Sequence, residues 1–213
     1  AWHIYLQSGG PDTVYRIWPK AGVPYLAYRI GEFGLEYEFK VTDFTQINAS
    51  INRQMLIQAI KLLDLKGNER VLDLFCGLGN FTLAAATRAR EVVGVEISNE
   101  MVQRLVHNAA NNDLENVSAS VFDLTQPIDS QSWAIEQWDK LIIDPPRSGA
   151  KEILEELSII NIKHILYISC NPKTLAHDAK ILQDRGFQMT HLGIIDMFPH
   201  TTHVETMALF TMT

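Results

Sequence analysis

From Glu69 to Arg185 the chain repeats one rhythm, a short apolar run, a turn rich in Gly, Pro, Asn or Asp, then an amphipathic stretch at helical spacing. The apolar runs predict strands over residues 70–75, 91–96, 117–122, 140–144 and 164–169. Helices are predicted near 81–87, 98–111, 151–157 and 172–185. Strands that are apolar along their whole length need both faces covered, and their alternation with helices is the pattern of βαβ units on a parallel sheet. Such a sheet collects ligands in the crevice outside the carboxyl ends of its strands, so chemistry is to be sought in the residues that end each run.

The flanks read differently. Residues 4–41 carry period-2 runs over 14–18, 25–30 and 35–41, punctuated by Gly9-Gly10-Pro11, Ala21-Gly22 and Gly34, and predict an antiparallel β meander. A helix is predicted over 49–65, with Ile51, Met55, Leu56, Ile60 and Leu63 on one face and Gly67 beyond it. After the last helix, strand-like runs over 191–197 and 203–212 flank a short loop holding Pro199, which predicts an antiparallel hairpin at the end of an otherwise parallel sheet. The expected organisation is an α/β, Rossmann-like domain over 49–213 with a mostly parallel seven-stranded sheet, preceded by the meander over 1–48.

A chain of 213 residues, 46% hydrophobic, has room for one such domain and a small extra element. Cys76 and Cys170 lie far apart with no secretory leader ahead of them, so they are expected as free thiols in a reducing compartment, with cytoplasm the default and a monomer the simplest state. No apolar stretch approaches the roughly 20 residues of a bilayer span. The net charge of -7 opposes the footprint of a stand-alone nucleic-acid module, and leaves room for an enzyme whose nucleic-acid affinity resides in a separate basic domain. The chain opens Ala1-Trp2-His3 and is read as an excised domain.

Each strand end offers a candidate. The first runs through Asp73, Phe75 and Cys76 into Gly77-Leu78-Gly79-Asn80, a turn whose glycines permit close approach of backbone to a ligand. Glu96 ends the next strand about 20 residues on, where an acid can grip ribose hydroxyls. Nicotinamide dinucleotides and S-adenosylmethionine both use such an acid, and Thr82 stands where a nicotinamide fold takes Gly or Ala. A plain strand-turn-helix with incidental glycines is the bland alternative, and Cys76 reads as a lining or packing residue of the turn and a poor second candidate for a nucleophile. Asp123 ends the third strand as either a contact to the adenine end of a ligand or a turn cap.

Asp144-Pro145-Pro146-Arg147 sets a carboxylate on a rigid turn, a floor for a planar substrate, and is similar to the N/D-P-P-x turn of methyltransferases acting on nitrogen heterocycles. Arg147 is open between a solvated charge and a partner of phosphate or of Asp144. Cys170 closes the fifth run just before Pro172, which can open a helix at its first position. A thiol beside a helix N-terminus has its thiolate favoured by the dipole, and the alternative is a packed, inert cysteine. His200, His203 and Glu205 lack the H-E-x-x-H spacing, so no metal site is expected. Glu205 is then either a general base at the sheet edge or a solvent-facing carboxylate.

Five ordered segments carry a family resemblance: Phe44-Thr45-Gln46-Ile47-Asn48, the run Asp73 to Leu83, Asp144 to Arg147, Ser169 to Asp178, and Asp196 to Glu205. Together they resemble the RNA uracil-5-methyltransferases, which make 5-methyluridine from S-adenosylmethionine, over about Asp43 to the C-terminus. The wording of Asp43 to Asn48 and of Asp196 to His200 is closest to the branch acting on 23S rRNA, with the transfer-RNA branch as the rival. A nicotinamide-dependent oxidoreductase and a non-catalytic RNA-binding module are the other readings weighed. The resemblance implies a class I methyltransferase fold, Cys170 as the thiolate that adds to uracil C6, and Glu205 as the base that removes the C5 proton. It implies Phe75, Gly77, Asn80, Glu96 and Asp123 around the cofactor, Asp144 between cofactor and base, Gln46 at either, and Phe44 and Arg147 on the RNA. The 23S rRNA branch carries an N-terminal oligonucleotide-binding barrel and a four-cysteine iron–sulfur site. Neither is among these residues, so residues 1–48 are expected as a remnant of the RNA-contacting part.

Overall fold

A computed structural model describes residues 2–22, 25–156 and 162–212 of the chain. Two antiparallel hairpins come first, β1 (Ile4–Gln7) with β2 (Val14–Trp18) and β3 (Leu26–Ile30) with β4 (Leu35–Phe39). Then follow α1 (Ala49–Leu63), β5 (Arg70–Leu74), α2 (Asn80–Ala86), β6 (Glu91–Glu96), α3 (Asn99–Asn111), β7 (Val117–Val121), α4 (Ser132–Ile135), β8 (Lys140–Ile143), α5 (Lys151–Glu155), β9 (His164–Ser169), α6 (Pro172–Asp184), β10 (Phe187–Ile195) and β11 (Glu205–Met212).

The seven strands from β5 onward form one sheet in the order β10-β11-β9-β8-β5-β6-β7. Only β11 opposes the common direction, pairing antiparallel with both β9 and β10. From β5 the chain winds outward through β6 to β7, then returns to β8 on the other side of β5. The order reverses between β5 and β8, and a crevice opens at that switch beyond the carboxyl ends of the two strands.

Alternate residues of each central strand feed opposite cores, which is why the runs read as continuously apolar. Leu72, Leu74, Leu141, Ile143, Ile165, Tyr167 and Phe210 pack with Trp133, Trp138 and residues of α5 and α6. Val71, Val92, Ile142, Leu166, Ile168, Met207 and Leu209 face α1 and α2 on the other side, together with Ile30, Leu35 and Tyr37 of the β3–β4 hairpin. No helix among the described residues is long and apolar enough to cross a membrane.

The meander expected before α1 resolves into two separate hairpins. Strand β2 ends just before Pro19, which has no N–H to offer a further ladder, and β3 instead pairs with β4 over the α1–α2 layer. Helix α1 stops at Leu63, short of the expected 65, because Asp64 takes a left-handed conformation (φ 51°) with its N–H on the Ile60 carbonyl. Strand β10 starts earlier than expected, at Phe187, and an irregularity between Met189 and His191 is what breaks its alternation in the sequence. The connection from β10 to β11 spans 196–204, so Met197 and His203, assigned to strands above, lie in a loop. The short α4 had no periodic signal at all. The helix expected over 151–157 ends at Glu155, and residue 157 lies outside the described residues.

Candidate active site

A cavity of about 590 Å³ opens at the switch point, and every candidate residue named above lines it: Phe44, Gln46, Phe75, Gly77, Asn80, Glu96, Asp123, Asp144, Arg147, Cys170 and Glu205. These come from seven separate stretches of chain.

The glycine turn after β5 forms the first wall. Phe75 leaves the strand with φ 63°, a left-handed conformation that is unusual for a bulky residue and costs on the order of 1–3 kcal/mol. The N–H groups of both Phe75 and Cys76 converge on the Val95 carbonyl at 2.9 and 3.2 Å, and this holds the turn against β6. Gly77 and Gly79 also have positive φ, and a side chain at Gly79 would press on Leu105. Asn80 opens α2 with its side chain turned back into the protein, paired with Asn52 through 2.9 and 3.1 Å bonds and accepting from the Tyr28 hydroxyl at 3.1 Å. Tyr37 donates to the Asn80 carbonyl at 3.0 Å. Asn80 therefore presents its backbone and flank to the cavity, while Asn52 and Tyr28 hold it from behind.

Glu96 sits at the end of β6 with one carboxylate oxygen accepting the Gly77 N–H at 3.2 Å and the other the Ser98 N–H at 3.0 Å. Asp123 accepts from the N–H and hydroxyl of Thr125 at 3.0 and 2.7 Å, which holds its carboxyl below the usual range. The turn cap and the cavity contact foreseen as alternatives for Asp123 thus coexist. Behind this wall Asp73 is buried, accepts the Thr82 hydroxyl at 2.5 Å, and is pushed up to about 7 by burial. Thr82, noted above for what it replaces, is there to satisfy that carboxyl.

The opposite wall is the Asp144 turn and the ends of β9 and β11. In the ladder between these strands Ser169 pairs with Thr206, so the next pair outward sets Cys170 opposite Glu205. Asp144 follows β8, whose Ile143 pairs with Tyr167 on β9, and so enters the same corner. Burial, reinforced by Glu205 and Asp73, pushes the Asp144 carboxyl up to about 8. Glu205 is raised by burial, with Arg147 opposing. Burial and then Glu205 push the Cys170 thiol up, and Arg147 pulls it partly back. The position before a helix gave no sign of these neighbours.

Three residues that the sequence left without a role build this corner. Asn171 caps α6 through the Lys173 N–H at 3.2 Å and donates to the Arg147 carbonyl at 3.0 Å, which ties the Cys170 turn to the Asp144 turn. Asp178, buried on α6, accepts the Ala150 N–H at 2.8 Å and the Tyr167 hydroxyl at 2.5 Å. His203 lies 3.1 Å from an Arg147 amino group and edge-on to Phe198. The first two fall inside the matched segment Ser169 to Asp178, which was the one available signal. Cys76 is buried behind Gly94, where any side chain would come within 2.7 Å of its sulfur, and burial pushes its thiol well up. It is packed and also borders the cavity.

What the cavity can hold follows from its charge and its one orphaned group. It carries Glu96, Asp123 and Glu205 against Arg147, with Asp144 holding its proton to about pH 8, and this balance suits a cationic ligand and disfavours the pyrophosphate of a dinucleotide. The Gln46 carboxamide oxygen is buried with no hydrogen-bond partner, a state that a ligand N–H would relieve. Phe44, Phe75, Ile97 and Phe122 supply apolar surface for flat rings. Among the described residues no group of three or more His, Cys, Asp or Glu could hold a metal ion.

Known proteins resemble this chain in sequence and in fold. The family model described as tRNA (Uracil-5-)-methyltransferase matches residues 27–213. The chain is similar to the 23S rRNA (uracil(1939)-C(5))-methyltransferase of Alcanivorax borkumensis, 50% identical over 98% of this chain and 47% of that protein. It is similar also to the one of Hahella chejuensis, 49% identical over 97% and 47%. The chain thus spans about half the length of these relatives. Among solved structures, the Pyrococcus abyssi tRNA (uracil-54, C5)-methyltransferase in complex with S-adenosyl-L-homocysteine superposes with TM-score 0.77 at 26% identity, over 90% of this chain and 45% of that one.

Proposed function

The chain belongs to the tRNA (uracil-5-)-methyltransferase family, and from that premise we propose that it is the catalytic part of an enzyme that methylates C5 of a uridine in 23S rRNA. The single observation that carries the reading is that Cys170 and Glu205, each one residue beyond the Ser169–Thr206 pair that ends the β9–β11 ladder, line one cavity suited to a cationic methyl donor. The identity near 50% to 23S rRNA enzymes favours that RNA over transfer RNA.

S-adenosylmethionine, when bound, supplies a methyl group on a sulfonium sulfur. Glu96 is positioned to take ribose hydroxyls, Phe75 and Asp123 the adenine end, and the acidic lining the positive charge. Uracil C5 is a poor carbon nucleophile, so the chain's own task is to activate it. Cys170 as thiolate forms a bond to C6, and the C5–C6 π electrons move toward the C4 carbonyl, so that C5 becomes enolate-like and can accept the methyl group. Asp144, which keeps its proton to about pH 8, can donate a hydrogen bond to a carbonyl oxygen of the ring as charge builds there. Glu205 then removes the C5 proton, the C5–C6 double bond re-forms, and the C6–sulfur bond breaks to release Cys170. Arg147 steadies the thiolate, and Phe44 and Gln46 orient the base.

Uracil C5 and C6 are covered in stacked RNA, so the target has to be extruded or presented in a loop. Residues 1–48, with Trp2, Tyr15 and Trp18 exposed on the first hairpin, are read as the edge of the RNA-contacting part. The experiment is a trap on ribosomal RNA fragments containing 5-fluorouridine, with methyl donor present. The expected result is a covalent complex that survives denaturant, formed by the unaltered chain and absent in Cys170→Ala, because fluorine cannot leave as a proton does. An adduct formed equally by Cys170→Ala sinks the assignment.

A further inference from the structure

The cavity wall formed by Phe44, Thr45 and Gln46 has no helix or strand of its own, yet it lines the same cavity as Glu96 and Cys170. Its conformation is set one residue earlier. Asp43 donates its N–H to the Lys40 carbonyl at 2.9 Å, while its carboxylate accepts the Lys40 N–H at 2.7 Å and the Arg104 Nε–H at 3.1 Å. Arg104 belongs to α3, whose first turns send Met101 into the same cavity. The Asp43–Arg104 pair therefore couples two walls of one pocket.

The pair is buried, with side-chain exposures of 2% for Asp43 and 5% for Arg104, and the guanidinium lies 4.0 Å over the Tyr25 ring. The other ties between this segment and α3 are of a different kind. Lys40–Glu100 and Glu38–His107 are at least partly open to solvent, and Asn108 and Asn112 bond the β4 backbone upstream. Solvent-exposed pairs contribute little, and the β4 contacts act on a strand that already has a partner. A buried ion pair adds little net stability over an apolar pair, but removing one partner leaves a stranded charge, so it enforces one arrangement against others. The segment it arranges is the one that carries the orphaned Gln46 oxygen.

We propose that Asp43 and Arg104 are positioning residues for the donor cavity, their buried pair locking segment 43–46 against α3 so that Gln46 and Phe44 are presented before any ligand arrives. The proposal rests on the reading of the cavity as a methyl-donor site. It predicts that loosening the pair costs ligand affinity through local disorder of this segment while the central sheet is untouched.

The test pairs calorimetric titration of S-adenosylhomocysteine with amide hydrogen exchange, on the whole chain and on Asp43→Asn, Arg104→Lys and Tyr25→Leu. Asp43→Asn is expected to raise the dissociation constant about tenfold or more and to speed exchange in 44–48, with β5 and β6 amides unchanged. Arg104→Lys should act in the same direction, and Tyr25→Leu, which keeps the ion pair, by only about threefold. Affinities within about twofold of the unaltered chain in a folded Asp43→Asn overturn the proposal, as does faster exchange spread evenly over the domain. Should Asp43→Asn not fold, the same limits applied to Arg104→Lys decide. An unaltered chain that binds no S-adenosylhomocysteine overturns both this proposal and the function it rests on, whereas binding by all four proteins alike overturns this one alone.

Discussion

Asp73 illustrates how a single carboxyl is made to serve a fold rather than a ligand. It is 1% exposed, one oxygen is bonded to Thr82, and the other has no partner. An ordinary Asp releases its proton near pH 4 in the unfolded chain, while the folded protein holds the Asp73 proton up to about 7. Between those values the folded state binds more protons than the unfolded one, so stability is lost as pH rises through that window. Asp73→Asn has no proton to lose, and its stability relative to the unaltered protein is expected to improve from pH 4 to pH 7, by up to about 4 kcal/mol. Denaturant unfolding at several pH values measures this, and a difference independent of pH would show that Asp73 is ionised in the fold. The same desolvation acts on Cys170: position in the sequence pointed only to a helix dipole, and the folded arrangement adds burial and the facing Glu205, which push its thiol up, and Arg147 as the opposing charge.

The elements that matter are the turns that end β5, β8 and β9, and each was legible in outline because Gly, Pro and Cys at strand ends have local meanings. Their mutual fixing was not legible, since Asp178, Tyr167 and Asn171 act across sequence gaps through single side-chain bonds. Gly149 shows the cost of that compactness. It has φ 88°, and a side chain there would come within 2.7 Å of the Asp178 carboxylate. Gly149→Ala is expected to cost about 1–3 kcal/mol through backbone strain and displacement of Asp178. Chemical denaturation reads this directly, and an unchanged midpoint would mean the turn relaxes freely.

Over the whole molecule the two hairpins divide the N-terminal region unequally. β3–β4 puts Ile30, Leu35 and Tyr37 into the core shared with α1 and α2, whereas β1–β2 leaves Ile4, Leu6, Tyr15 and Trp18 exposed. A chain starting at Tyr25 should therefore melt within roughly 3 °C of the full chain, while Tyr37→Ala should lower the midpoint by several times that, as loss of a buried aromatic costs about 3–5 kcal/mol. Equal effects in thermal scans would contradict this division. The alternation of apolar runs with helices, the glycine turn, and the strand-end Asp144 and Cys170 were readable directly, because hydrophobic period and turn chemistry are properties of neighbouring residues. Which strand ends face one another was decided by the tertiary structure: the chain doubles back beside β5, β11 enters against the common direction, and Cys170, Glu205 and Asp144 meet although separated in sequence. Proton affinities were decided there too, because desolvation and charge proximity are set by what packs around a group and not by its place along the chain.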